Sequence, residues 1–233
     1  MTDEPITAIA ALDDQLRRRM YAFIRQARRP VTRDEAAASV GISRKLAAFH
    51  LDKLVAAGLL RARYEFVGEV RKAGRTPKVY EPSGTDVQVS IPPRQHDLLA
   101  DILLDAVLDE AGHETARESA LRAARRHGKS IGAVERDTLR PGRLGTERAL
   151  TLAAAVVERH GFEPARDTPA CLRLRNCPFH PLAAKAPNLV CGINHAFLSG
   201  LLDGLHAQSV EAVLEPRAGE CCVELRSATP SSR

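Results

Sequence analysis

At 233 residues and 44% hydrophobic content, the chain is long enough for one or two domains with cores of their own. No apolar run is long enough for a membrane span, and the acidic start MTDEP is unlike the basic start of a signal peptide, so a cytoplasmic protein without membrane attachment is expected. The net charge of +5 is unevenly placed: residues 1–92 hold 16 Lys+Arg against 11 Asp+Glu, and residues 93–233 hold 18 against 18. Between Gln15 and Glu81 the balance is 16 to 6, a local excess of +10 that suits a polyanion-binding module.

The first predicted element is a helix over Ala8–Arg28, with Leu12, Leu16, Met20, Phe23 and Ile24 at helical spacing and Pro30 as its stop. Thr32 with Glu35 three residues on forms a capping-box pattern that opens a helix over Arg33–Val40. Gly41 supplies the positive φ of a sharp turn, and Ser43 is an N-cap for a helix that starts at Arg44 and ends at Gly58. Ala47, Leu51, Leu54 and Val55 form its core stripe, with His50 packed beside them. The opposite face carries Arg44, Lys45, Ala48, Phe49, Asp52 and Lys53. Two cations in a first turn oppose the helix dipole at a cost of roughly 0.3–1 kcal/mol each. A phosphate or a guanine edge in front of that turn supplies a reason for them.

After Gly58 the period changes to two. Leu59–Phe66 reads as a half-buried strand and Lys78–Pro82 as its antiparallel return. The intervening loop, Gly68–Pro77, carries Arg71, Lys72 and Arg75 at its tip, as in a hairpin that lies on phosphates or in the minor groove.

The run SRKLAAFHLDKLVAAGLL, followed by this basic loop and TPKVY, resembles the winged helix-turn-helix of the ArsR-like bacterial transcriptional regulators, and most of all their SufR-type iron–sulfur branch. The resemblance covers residues 1–84. It implies a domain that binds double-stranded DNA through Ser43, Arg44, Lys45, Phe49 and Lys53 on the helix and through Arg71, Lys72 and Arg75 on the wing.

A proline-ended linker, Thr85–Pro93, precedes an apolar helix over Gln95–Glu110. Because winged-helix regulators read paired half-sites, residues 93–140 are expected to form a helical linker that makes a homodimer, burial inside the same chain being the alternative. A second helix, His113–Arg126, is expected to end in the solvated basic run RRHGK, with Arg136–Gly145 as a loop.

Residues 145–227 predict a small α+β domain with an antiparallel sheet: a helix over Glu147–His160, strands near Phe162–Arg166 and Ala170–Arg175, a helix near Ile193–Leu205, and strands near Glu211–Leu214 and Cys222–Leu225. The fold class expected of the whole chain is therefore α+β.

All five cysteines lie in this last part, which points to metal or redox chemistry more than to disulfide staples. Cys177 and His180, with Cys191 and His195 four apart, could complete a Cys2His2 zinc site. A competing site has Cys171, Cys177, Cys191 and one of Cys221 and Cys222 around an iron–sulfur cluster, since neighbours in a strand point to opposite faces. In the resemblance, Cys177 and Cys191 look like the central cysteines of the SufR-type pattern and GECCVEL like its last one. Where that branch often places another cysteine, this chain has Ala212-Val213-Leu214, so Cys171 is needed to make up the number. The expected ligand set is Cys171, Cys177, Cys191 and Cys222, with His180, His195 and Cys221 as alternatives; buried apolar cysteines without a ligand are the remaining reading.

These features predict a homodimeric DNA-binding transcriptional repressor whose C-terminal domain senses a metal, an iron–sulfur cluster or redox state. The alternative keeps DNA binding and gives that domain a small organic ligand, a partner protein or a purely structural part. Cys191 with His195 could form a nucleophile and base, but no Asp/Glu pair or phosphate loop accompanies them, and no enzyme activity is expected.

Overall fold

The computed structural model describes residues 3–65, 76–109, 112–142 and 144–228, and the chain divides into two compact units, Met1–Val89 and Ser90–Arg233. Both are mixtures of helix with a small antiparallel sheet, so the molecule is α+β. Among the described residues no helix is long and apolar enough to cross a membrane.

In the first unit the predicted long helix is two: α1 (Asp3–Ala11) and α2 (Gln15–Ala27). The Asp14 side chain accepts from the Arg17 N–H, and this N-cap starts a new helix where periodicity alone continues the old one. A two-residue strand, β1 (Val31–Thr32), leads into α3 (Arg33–Val40), α4 (Arg44–Ala56), β2 (Leu60–Tyr64) and β3 (Lys78–Pro82). The sheet order is β1-β3-β2, with Val31 opposite Tyr80 and Leu60 opposite Pro82. Met20, Ile24, Leu51, Leu54 and Tyr80 are fully buried where α2, α4 and β3 meet. β1 escaped the sequence reading because two residues show no period. The loop bearing Arg71, Lys72 and Arg75 lies outside the described residues.

The capping box is present in both halves: Glu35 N–H donates to Thr32 Oγ1, and the Thr32 N–H donates to Glu35 Oε2 at 2.7 Å. The Arg29 guanidinium donates to the same carboxylate, and together these bonds hold the Glu35 pKa at about 2, against the opposing effect of burial. A carboxylate depressed in the folded state stabilises above its ordinary pKa, and this contribution fades as the pH falls toward 2. Glu35→Ala is therefore expected to cost about 1 kcal/mol near neutral pH, and progressively less below pH ~4. Tyrosine fluorescence during urea unfolding checks this, because the chain has no Trp and its three tyrosines, Tyr21, Tyr64 and Tyr80, all lie in the first unit.

The second unit begins with α5 (His96–Leu108) and α6 (Ala116–Leu139), followed by α7 (Thr146–Arg159), β4 (Pro164–Thr168), β5 (Cys171–Leu174), the single turn α8 (Leu182–Lys185), α9 (Pro187–Gly204), β6 (Val210–Leu214) and β7 (Val223–Ser227). Its sheet runs β4-β5-β7-β6, all antiparallel. Leu172, Leu174, Val223 and Leu225 join one core with Ile102, Leu150, Ile193 and Phe197 from the helices.

Two expectations change here. The helices of residues 93–140 share a core with the C-terminal sheet: α5 buries Leu99, Ile102 and Ala106 in the same chain, while Leu104, Val107 and Leu108 stay exposed on its other side. The run RRHGK is also no helix end. α6 continues to Leu139, because Gly128 and Gly132 are buried against α9 rather than acting as stops.

Candidate functional site

Two groups of residues stand out, one in each unit. In the first unit, α4 opens as the sequence predicts: Gly41 has φ 71°, and the Ser43 side chain accepts from the Leu46 N–H at 3.3 Å. Ala47, His50, Leu51 and Leu54 are buried, and the opposite side exposes Arg44, Lys45, Phe49 and Lys53. Leu46 is exposed with them, an apolar position that the stripe analysis did not single out. Lys53 lies 5.8 Å from the Phe49 ring centroid. Arg44 Nε is 3.0 Å from Asp34 on α3, and both side chains are more than half exposed, so this pair contributes little to stability and leaves the guanidinium free to exchange partners. His50 is packed, with Nδ1 3.9 Å from Asp14.

In the second unit the structure gathers four thiols. Cys177, Cys191, Cys221 and Cys222 lie near enough to perturb one another: Cys221 acts on Cys177 and Cys222, and Cys191 acts on Cys222. Asn194, fully buried on α9, donates from Nδ2 to Cys221 Sγ at 3.1 Å and also reaches Cys222. Its Oδ1 has no hydrogen-bond partner. These contacts split the thiols electrically. Bonds from Cys221, Cys191 and Asn194 lower Cys222 to about 6. The bond from Cys221 holds Cys177 below its ordinary value. Burial, with donation to Cys222, pushes Cys191 up to about 12. Cys221, donor to both neighbours, is raised.

This is not the expected ligand set. Cys171 sits on β5, where alternation places it with Arg173 on the face opposite Leu172 and Leu174. Its thiol is raised by burial first and then by Glu224. The two adjacent cysteines, expected to diverge, both join the cluster. Pairing in β7 begins only at Val223, and Cys222 lies at a bend, so strand alternation does not govern them. The Cys221 N–H donates to Leu174 O and the Cys222 carbonyl accepts from the Glu215 N–H, which fixes this bend beside α9.

The histidine alternatives are placed elsewhere. His195 Nε2 donates to Ala212 O at 3.0 Å, and His180 is exposed. The His195 Nε2 is thus engaged by the backbone.

No protein-family model and no curated protein matches the chain. Its function must be argued from these two surfaces.

By donor type, four sulfurs suit zinc or an iron–sulfur centre. Among the described residues no group of three or more His, Cys, Asp or Glu side chains is set to hold a metal ion. Asn194 was missed from sequence because an Asn inside an apolar helix carries no spacing signal. Only the packing of α9 on the start of β7 brings its amide to the sulfurs.

Proposed function

We propose that the chain is a DNA-binding transcriptional regulator. Its first unit is a winged helix-turn-helix, with α3 and α4 as the helix pair, α4 as the recognition helix and the β2–β3 hairpin as the base of the wing. The observation that carries this reading is the face of α4: Arg44, Lys45, Leu46, Phe49 and Lys53 are exposed together on a helix whose other side is fully packed. A packed helix that spends two cations against its own dipole, in a unit holding all of the chain's excess positive charge, suits the major groove. Two copies would bind paired half-sites as a homodimer and repress transcription. The exposed side of α5, with Leu104, Val107 and Leu108, is the surface that suits their association.

The second unit is the sensor in this reading. Its responsive part is the cluster of Cys177, Cys191, Cys221 and Cys222, which would answer to a metal, an iron–sulfur cluster or redox state.

Binding of the full chain to its own upstream region, or to sequences selected from a random pool, tests the DNA reading. Arg44→Ala is expected to weaken specific binding by about 10- to 100-fold. It should leave the tyrosine-monitored unfolding midpoint unchanged, since the Arg44–Asp34 pair is exposed. Equal affinity of wild type and Arg44→Ala for every duplex would remove α4 as the recognition helix.

A second reading of the sensor rests on a groove of about 420 Å³ beside α5, lined by Leu103, Ala106, Val107, Ala116, Ala120 and Leu189. It is apolar enough for a small organic ligand. Sedimentation separates the two uses of this surface: a dimer that Val107→Glu dissociates assigns it to association, and a monomer assigns it to a ligand.

A further inference from the structure

The groove beside α5 is deep because its floor is small. Ala106 of α5 and Ala120 of α6 are buried at the bottom, while the larger Leu103 and Val107 of α5 and Leu189 of α9 stand more exposed around them. The space of about 420 Å³ is of the size that takes small ligands, roughly 300–1,000 Å³. Leu104 and Leu108, the neighbouring exposed leucines of α5, line no part of it.

Where α6 meets α9 the groove is polar. Arg117 and Asn188 both line it, and Arg117 Nη2 donates to Asn188 O at 3.3 Å. Arg117 is the second residue of α6, a place where the helix dipole disfavours a cation. Among the described residues no carboxylate pairs with its guanidinium, and no acidic side chain lines the groove. The first turn of α9, which carries Asn188, has no acidic residue and no side-chain cap either. An apolar trough therefore runs up to a cation that lacks an anion.

These features define a ligand. A hydrocarbon body gains by leaving water for the trough, and a guanidinium fork gives a carboxylate two parallel N–H bonds. A phosphate monoester brings a charge of about −2 and would meet a single cation. An amino acid would bring an ammonium to a groove whose described lining has no acid.

We infer that the groove binds an apolar carboxylic acid as its carboxylate, the hydrocarbon lying over Ala106 and Ala120 and the carboxylate on Arg117. This names the ligand class for the second reading of the sensor and rests on that reading for any effect on DNA; the binding itself does not.

Calorimetric titration of the full chain with octanoate, and with 1-octanol as its uncharged counterpart, tests the site. One octanoate per chain is expected, and octanol about tenfold more weakly, as befits a hydrogen bond to a charged group. Arg117→Met should bind the two probes alike. Ala116→Leu, at an exposed position on the rim, should lose both, with an unchanged circular dichroism spectrum to show that the fold is intact. Equal affinity of the wild type for the two probes would overturn the inference. So would octanoate binding that neither variant alters, or no uptake of either probe. A chain that takes up no octanoate and sediments as a dimer that Ala116→Leu dissociates has a second copy in the groove instead. Duplex binding is read separately on the same samples. Octanoate bound with DNA affinity unchanged leaves the site standing and removes its regulatory consequence. Intact DNA binding with no octanoate uptake removes this inference alone.

Discussion

Gly200→Ala is expected to destabilise the Ser90–Arg233 unit by about 3 kcal/mol or more, at or above the upper end of the usual cost of overpacking. α6 and α9 touch through glycines on both sides. A Cβ on Gly200 would stand 2.0 Å from Arg125 O, one on Gly204 2.2 Å from Lys129 O, one on Gly128 1.9 Å from Phe197 O and one on Gly132 2.3 Å from Leu201 O. Every one of these obstacles is backbone, so no side-chain rotation relieves the clash and the helices must separate along their whole contact. Separation would also pull Phe197, Leu198 and Leu201 from a core in which they are fully buried. Gly192→Ala on the same helix is the control: its Cβ would meet the flexible end of Leu121 at 3.2 Å. There the gain in helix propensity, roughly 1 kcal/mol, should leave stability equal or slightly raised. Far-UV circular dichroism during urea unfolding reads both units, and tyrosine fluorescence, which reports the first unit alone and should be unaffected, separates the transition of the second. A Gly200→Ala midpoint equal to that of Gly192→Ala would mean that the crossing is looser than described.

Arg173→Met is expected to cost about 3–5 kcal/mol, the usual consequence of removing one partner from a buried ion pair. Arg173 is only 8% exposed; it donates to Glu220 from Nε at 2.7 Å and from Nη2, and its Nη1 lies 3.6 Å from Glu224, itself 10% exposed. Without the guanidinium, Glu220 can turn to water, but among the described residues Glu224 keeps as a cationic partner only Arg217, half exposed and 4.0 Å away. The remedy follows from the same geometry. Arg173→Met combined with Glu224→Leu replaces the pair by apolar volume and should recover most of the loss. If the double variant unfolds as early as Arg173→Met alone, the stranded carboxylate is not the cause of the destabilisation. The cluster also reaches Cys171, whose thiol is raised by Glu224 after burial.

The first unit was legible where the signal was local. Thr32 and Glu35, Gly41, Ser43 and Gly58 mark helix ends by hydrogen bonds within a few residues, and α3 and α4 begin where these residues place them. The break at Asp14 was missed because an N-cap inside a continuous apolar period has to outweigh that period, and the sequence does not show which prevails. The reach of α6 was missed for the opposite reason. Gly128 looks like a stop in sequence, and its use as a contact exists only once α9 is beside it.

The sulfur site divides in the same way. Spacing singled out Cys177 and Cys191 and the final Cys-Cys pair, and these are the thiols that meet. Counting added Cys171, which the structure places on a sheet face with Arg173, and strand alternation was expected to leave only one of Cys221 and Cys222 at the site, whereas a bend brings both there.

By itself, then, the sequence determined the α+β class, the starts of α3 and α4, the cation-bearing face of α4 and the crowding of thiols at the far end, because composition, period and capping act within a turn or two of chain. Only the tertiary structure decided that α5 and α6 belong to the C-terminal core, that glycines set the approach of α6 to α9, and that Cys222 rather than Cys171 lies against Cys191. Those outcomes depend on which surfaces come within a few ångströms across long separations in the chain, and no local pattern carries that distance.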